Sequence, residues 1–251
     1  MKSSLRDIYV SMIFPTIITI TITAVYFIDV WFDLSLTEYG LRPFTFSGLI
    51  GIITSPFLHA DAEHLSSNVF PLFLLTSGLF YFYKTSGFKI LLFCYLVTGF
   101  WTWFLGRGTG IHIGASGVVN ALILFHIVSS LLRRRKELTA FSFLIIMFYG
   151  GFIWGLFPEL FPDKMISWQS HLSGIAAGTV AAFYFRNIGP QPQVWQWDDD
   201  DEDDDEDEEN EGDEKNGDAP NDNSGANAGK GGAYWNTDHT AGTNNWTTTS
   251  T

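Results

Sequence analysis

Long apolar stretches, each roughly 20 residues in length, recur along the first three quarters of the chain. None shows the polar face of an amphipathic helix from a soluble protein, and their length is what a helix needs to cross a hydrocarbon core of about 30 Å. The pattern predicts an all-α membrane protein with six transmembrane helices. They cover approximately residues 8–28, 65–83, 88–105, 116–132, 138–157 and 170–185. The first stretch is long for a signal peptide and no small-residue cleavage site follows it, so a retained helix is expected.

The segment between the first two predicted helices, residues 31–60, is too polar and too rich in Gly and Pro to be a clean span. It still carries apolar side chains such as Phe44, Phe46, Ile50 and Ile53. Irregular backbone at membrane depth is stable only against protein or a wet cavity. We therefore expect a structured external loop that is partly embedded in the outer leaflet.

Basic residues are distributed unequally between the two sides of this bundle. If the N-terminus is cytoplasmic, nine Lys and Arg residues of the predicted membrane domain lie inside, and Arg42, Arg107 and Lys164 lie outside. Cytoplasmic loops carry an excess of such residues, so we expect a multi-pass protein of the cell membrane with both termini in the cytoplasm. The only dense basic stretch is residues 133–136, which does not favour nucleic-acid binding.

The acidity of the chain sits almost entirely at its C-terminal end. The net charge is +3 over residues 1–189 and −16 over residues 190–251, where positions 198–209 are all Asp or Glu. Such a segment buries too little apolar surface to offset the entropy of ordering. Two regions are therefore predicted: a membrane domain over residues 1–189 and a disordered cytoplasmic tail over 190–251. The acidic composition is also typical of proteins from archaeal and other high-salt organisms.

Polar side chains in the predicted spans are few and gather at one depth. His64 and Asn68 lie near the start of the second helix, Ser116 starts the fourth and His171 lies at the start of the sixth. With the N-terminus inside, every even-numbered helix begins outside, so these residues share the outer half of the bilayer. Polar groups in spans are costly and often functional, which makes this set the candidate site.

Ser116 and His171 are the pair with the clearest chemistry. A serine hydroxyl becomes an effective nucleophile when a neutral imidazole removes its proton. The nearest carboxylates, Glu159 and Asp163, fall in a loop, which favours a Ser–His dyad over a triad. A serine at a helix start is, taken alone, more often an N-cap, and that alternative stays open.

A tetrahedral intermediate at Ser116 would need hydrogen-bond donors for its oxyanion. The backbone N–H of Ser116 is one, and the side chains of His64 and Asn68, four residues apart and so on one helix face, are predicted to be others. A metal site is the alternative for His59 and His64. Their spacing is not that of a His-Glu-x-x-His protease and no third ligand is evident, so no metal or other cofactor is expected. His112 is interpreted as an ordinary polar residue.

Small residues would let the fourth and sixth helices approach closely. Gly174 and Gly178 give the sixth helix a smooth face. Gly117 and Ala121, one turn apart on the fourth helix, are expected to meet that face. This contact would bring the hydroxyl and the imidazole within reach of each other.

Three segments together resemble the rhomboid intramembrane serine proteases, in the same order and on the same helices. They are residues 64–68 (HLSSN), 114–117 (GASG) and 171–178 (HLSGIAAG). The resemblance extends over about residues 1–189. It implies a six-helix rhomboid core whose active site opens to the outside through a water-filled cavity. It also implies hydrolysis of a peptide bond within or next to the transmembrane segment of a membrane-protein substrate.

Residue by residue, the resemblance makes Ser116 the nucleophile, His171 the general base, and His64 and Asn68 the oxyanion donors. Gly114 corresponds to the loop that lets the backbone approach the substrate. The partners it implies are membrane-protein substrates and the lipid bilayer.

Two positions depart from the family pattern. Asn120 stands where many members carry an aromatic residue that stacks on the catalytic histidine, and it could hydrogen-bond to His171 instead. Leu41 stands where many members have the Trp of a Trp-Arg pair. The leading hypothesis is an active intramembrane serine endopeptidase. The alternative is a catalytically silent rhomboid-like protein that binds client transmembrane helices.

Overall fold

The apolar runs form helices wherever the structure, a computed structural model, describes them. It describes residues 5–106, 110–151 and 167–192. Those residues contain no strand, only an isolated bridge between Leu41 and His112, and the predicted all-α class is confirmed. The helices are α1 (Leu5–Phe32), α2 (Gly51–Thr54), α3 (Ala62–Leu105), α4 (Ser116–Arg133), α5 (Lys136–Tyr149) and α6 (Trp168–Tyr184).

Helix α3 supplies the second and third predicted spans. It has 44 residues, about 66 Å at 1.5 Å per residue, which is twice the thickness of a hydrocarbon core. Lys84, with φ 39° and ψ −112°, interrupts it. The start of α3 follows the external loop, and Trp103 near its end donates its indole N–H to the Thr45 carbonyl of that loop, 2.9 Å away. The chain therefore reverses direction at Lys84.

Three helices in the described parts of the chain, α1, α3 and α4, are long and apolar enough to cross a membrane. Together with the shorter helices α5 and α6, which pack against α4, they form an all-α membrane bundle. The fifth predicted span begins at α5, and its second half lies outside the described residues.

The loop between α1 and α3 is folded into short helical turns. They comprise Leu36–Tyr39, Ser47–Leu49, α2 and Ser55–Phe57. Phe46 is 93 % exposed, and Phe44, Ile50 and Ile53 are also exposed, which suits a segment lying in the membrane interface. The hydroxyl of Tyr95 donates to the Ile53 carbonyl and holds the loop against α3. The sequence predicts a structured loop here, and the structure shows one; its external, partly embedded position stays a prediction.

Helix α4 is the centre of the bundle, and α6 packs directly on its backbone. Over an apolar stretch of 18 residues, 67 % of the residues of α4 are buried inside the protein, against 22 % in α1 and in α3. A Cβ added at Gly174 would overlap the carbonyl oxygen of Gly117, and one at Gly178 would overlap that of Ala121. Only glycine permits this approach of the two backbones.

Arg133 ties α4 to α6 at the end opposite Ser116. The fourth predicted span stops at residue 132, whereas in the structure Arg133 is the last residue of α4 and only 1 % exposed. Its Nη2 donates to the carbonyl oxygens of Phe185 and Ile188, 2.7 Å from each. Its guanidinium carbon also lies 5.2 Å from the centre of the Tyr83 ring. The guanidinium thus binds carbonyl groups at the C-terminal end of α6.

Residues 152–166, with Glu159 and Asp163, lie outside the described residues, as do residues 193–251. The predicted boundary at residue 189, the disorder of the tail and the loop placement of the two carboxylates therefore stay predictions.

Candidate active site

Ser116 is the first residue of α4, but its hydroxyl does not cap the helix. The N-cap is Ala115, with φ −83° and ψ 0°. The Oγ of Ser116 instead lies 2.9 Å from the Nε2 of His171, within hydrogen-bond distance. Both residues are half-buried. The structure thus brings together the two side chains that the sequence paired across 55 positions.

The first turn of α6 fixes the position of His171. Ser167 is its N-cap, and the Ser167 hydroxyl accepts from the backbone N–H of Ser170 at 3.4 Å. The N–H of His171 donates to the Ser167 carbonyl at 3.2 Å. Ser170 lies against Gly117 of α4, and Gly174 contacts α4 one turn later. The imidazole is therefore carried by a helix that cannot move away from Ser116 without breaking these contacts.

Gly114 shapes the loop before Ser116. Its φ of +95° lies in a region that glycine favours. A Cβ there would lie 2.5 Å from the Nε2 of His64, so the absence of a side chain makes room for that ring. The N–H of Gly114 donates to the Ser55 carbonyl at 2.8 Å and anchors the loop to the external segment.

His64 and Asn68 share one face of α3, as predicted from their spacing. Asp61 caps the helix by accepting from the N–H of His64 at 2.7 Å, which fixes the start of α3 beside the loop of Gly114. The Nδ2 of Asn68 donates to the His64 carbonyl at 2.7 Å, leaving its second hydrogen for another acceptor. The structure thus places the His64 ring next to the segment that carries Ser116, whereas the Asn68 amide bonds to its own helix.

His59 packs edge-on against His64, with 5.0 Å between the ring centres. Burial, together with the neighbouring His64, lowers the pKa of His59 to about 4. The imidazole is therefore neutral at physiological pH and supports the His64 ring without adding charge to the site.

Asn120 lies one turn beyond Ser116 on α4 and is 4 % exposed. Within the described residues, no hydrogen bond joins it to His171. The suggestion that Asn120 replaces the missing aromatic contact by hydrogen-bonding to this histidine therefore finds no support in the geometry.

His112 is the polar residue whose position the sequence did not reveal. Its backbone pairs with Leu41 through two hydrogen bonds, of 2.8 and 2.9 Å. The Nδ1 of its ring is hydrogen-bonded to the hydroxyl of Ser167. Burial lowers the pKa of His112 below its ordinary value. A single loop histidine has no spacing pattern, so only the fold could show that it reaches the N-cap of α6.

A cavity of about 20 Å³ lies behind the loop that precedes Ser116, enough for about one water molecule. Its polar lining includes Ser55, Thr98, His112 and Ser170. Within residues 5–106, 110–151 and 167–192, no group of three or more His, Cys, Asp or Glu side chains could hold a metal ion.

The fold and this site define a multi-pass helical membrane protein with a serine hydroxyl and an imidazole joined at the ends of two helices. A family model described as "Rhomboid domain" matches residues 47–188. The chain belongs to the rhomboid family, which comprises intramembrane serine proteases and catalytically silent relatives.

Mycobacterial relatives share this region. The chain is 36 % identical over 154 residues to "Uncharacterized protein Rv1337" of Mycobacterium tuberculosis, which covers 57 % of this chain and 62 % of the relative. It is 32 % identical over 159 residues to "Uncharacterized protein ML1171" of Mycobacterium leprae, with coverage of 59 % and 61 %. The chain thus spans about three fifths of the length of the curated relatives it matches.

Proposed function

We propose that the protein is an intramembrane serine endopeptidase that hydrolyses peptide bonds in or next to the transmembrane segments of other membrane proteins. The observation that carries the proposal is the 2.9 Å contact between the Oγ of Ser116 and the Nε2 of His171. Family membership supports a membrane-protein substrate, because rhomboids act on such proteins within the bilayer.

In this mechanism Ser116 and His171 form a catalytic dyad. The Nε2 of His171 accepts the hydroxyl proton while the Oγ of Ser116 attacks the scissile carbonyl carbon. The same nitrogen then protonates the leaving amine, and an ester between the substrate acyl group and Ser116 remains. In the second half, His171 takes a proton from water, the resulting hydroxide attacks the ester, and the proton returns to Ser116 as the carboxylic acid product leaves.

The oxyanion of each tetrahedral intermediate would be stabilised at the N-terminus of α4. The N–H of Ser116 belongs to the first turn, whose amide groups have no intrahelical acceptor. The ring of His64 lies beside Gly114, two residues before the nucleophile, and we assign its Nε2–H as a second donor. Asn68 has one amide hydrogen left after bonding to the His64 carbonyl, and we assign it as a third. Such donors act at full strength where water is scarce.

The proposed orientation of the bundle in the membrane is based on the distribution of its basic residues. In the proposed orientation both termini are in the cytoplasm, and the site faces the outside of the cell membrane with the loop of residues 36–57. Lys84 lies at the opposite end of the bundle, where its Nζ is 3.4 Å from a carboxylate oxygen of Asp7 near the start of α1. Lys84 and the N-terminal end of α1, which the charge distribution assigns to the same side of the membrane, are therefore neighbours. Half-burial of Ser116 and His171 supports access of water to the reacting bond.

Cleavage of a single-span protein by the purified chain in proteoliposomes tests the proposal. Wild type should produce two fragments, and Ser116→Ala should produce none. Ser130→Ala is the matched control, because Ser130 lies at the other end of α4 and its hydroxyl donates to the Ile127 carbonyl of its own helix; this variant should cleave like wild type. Equal cleavage by wild type and Ser116→Ala would refute the proposal. Client binding without cleavage by either would instead establish the silent rhomboid-like alternative.

A further inference from the structure

We propose that His112 is a positioning residue that holds the N-terminus of α6, and with it His171, at the distance from Ser116 that the reaction needs. The inference rests on the proposed function of the Ser116–His171 pair. It begins from the hydrogen bond between the Nδ1 of His112 and the hydroxyl of Ser167, which joins the two segments that carry the dyad.

The His112–Ser167 contact runs parallel to the dyad. His112 precedes Ser116 by four residues, and Ser167 precedes His171 by four residues. Both pairs are therefore separated by the same 55 positions. Two side-chain contacts with the same spacing thus connect the start of α4 and the loop before it to the start of α6. The His112–Ser167 contact takes no part in the proposed chemistry.

His112 can restrain Ser167 because its own backbone is fixed by hydrogen bonds to Leu41. Its N–H donates to the Leu41 carbonyl and its carbonyl accepts from the Leu41 N–H, which ties it to the external loop. Two residues later the N–H of Gly114 is bound to the Ser55 carbonyl. The imidazole is therefore attached to a segment anchored at two points, and movement of Ser167 is resisted by that segment.

Ser167 passes this restraint to His171 through the first helical turn. Its hydroxyl accepts from the Ser170 N–H, and its carbonyl accepts from the His171 N–H. Beyond His171 the backbone of α6 contacts that of α4 at Gly174, and just before it the Ser170 carbonyl oxygen already lies close to Gly117. The turn that carries the imidazole is thus held from one side by the glycine contact and from the other by His112.

Kinetics of substitutions at both partners test the inference. His112→Leu removes the polar group, whereas His112→Asn places an amide oxygen or nitrogen near the position of Nδ1. Because misplacement of a reacting group by about 1 Å can cost about 100-fold in rate, kcat should fall roughly 10- to 100-fold in His112→Leu with KM nearly unchanged. His112→Asn should recover most of the loss. The double variant His112→Leu/Ser167→Ala should be little slower than the slower single variant.

Two results would overturn the inference: cleavage by His112→Leu at the wild-type rate, or His112→Asn as slow as His112→Leu. If His112→Leu does not fold, Ser167→Ala against Ser167→Thr makes the same comparison, with threonine expected to retain the rate.

Hydrogen exchange separates this inference from the proposed function. If wild type cleaves no better than Ser116→Ala, the proposed function is wrong, and amide exchange still reports on the link. The amides of Ser170 and His171 should exchange faster in His112→Leu than in wild type or His112→Asn. Equal exchange in all three would refute the link itself.

Discussion

Helices α4 and α6 are joined by side chains at both ends, and the two junctions differ in kind. At one end the neutral hydroxyl of Ser116 meets the imidazole of His171 through a single contact of 2.9 Å, and both groups are half-buried. At the other end the guanidinium of Arg133, 1 % exposed, donates two hydrogen bonds of 2.7 Å to carbonyl oxygens that end α6. Between them the backbones touch through Gly174 and Gly178.

We expect the Arg133 end of the α4–α6 contact to determine the stability of the fold and the Ser116 end to determine reactivity. The hydrogen bonds of Arg133 join the buried guanidinium to carbonyl groups at and just beyond the end of α6, so the Arg133 junction contributes to stability. At the Ser116 junction the serine hydroxyl does not cap α4 and both side chains are half-buried, so this junction is the one where the proposed chemistry would occur. Substitutions at the two ends should therefore change different measurements.

The largest effect is expected for His171→Ala. Without the base, the serine hydroxyl is a poor nucleophile, and loss of one member of such a dyad costs about four to six orders of magnitude in kcat. Unfolding in detergent micelles should occur at nearly the wild-type temperature. Residual cleavage within tenfold of wild type would show that another group acts as the base.

Arg133→Met should give the opposite result. It removes the guanidinium donor from the carbonyl groups of Phe185, which keeps the Ile188 N–H as a donor, and of Ile188. The cost is about 1.5–3 kcal/mol for each hydrogen bond to a charged group. Thermal unfolding in micelles measures the loss. Arg134→Met is the matched control, because Arg134 is exposed and carries the same charge. Cleavage per folded molecule should be unchanged in both variants; a Ser116-like loss of activity in Arg133→Met would contradict the separation.

His64→Ala should reduce the rate by about 100- to 1000-fold, which is the usual cost of removing one oxyanion donor. The effect should appear in kcat, because the donor acts on charge that develops during the reaction. His64→Gln retains an N–H donor and should keep part of the activity. Cleavage by His64→Ala at the wild-type rate would remove His64 from the proposed mechanism.

The smallest expected effect is a pH dependence of stability at the Ser116 end. The unfolded chain protonates His59 below its ordinary pKa of 6.5, whereas the folded protein holds the neutral form down to about 4. Stability is therefore full above pH 6.5 and is lost as the pH falls towards 4. The loss from His59 between pH 7 and pH 5 should be about 2 kcal/mol. In His59→Phe the fall over this range should be shallower, and identical curves would contradict the buried neutral state.

The sequence was most informative about features that follow from run length or regular spacing along the chain. Apolar length predicted the helices, and the break at Lys84 fell between two predicted spans. The spacing of Gly174 and Gly178 indicated a smooth helix face, and the structure puts that face on Gly117 and Ala121. These features depend on residues that are close together in the sequence, so the sequence pattern could predict them.

The sequence was least informative about contacts made by single residues across the fold. The predicted fourth span stopped before Arg133 because the apolar run ends there, whereas the carbonyl partners of this residue lie 52 and 55 positions away. His112 was interpreted as an ordinary polar residue because it is a single histidine in a loop, and its partner Ser167 is 55 positions distant. No periodicity encodes such pairs.

The most direct test of the account is covalent labelling by a fluorophosphonate, with the modified residue located by mass spectrometry. A serine activated by an imidazole should react, so wild type should carry the adduct on Ser116 alone. Labelling should disappear in His171→Ala and persist in Arg133→Met that has been purified as folded protein. Labelling of Ser116 that is equally fast without His171, or no labelling of folded wild type, would contradict the claim that this pair is a catalytic centre.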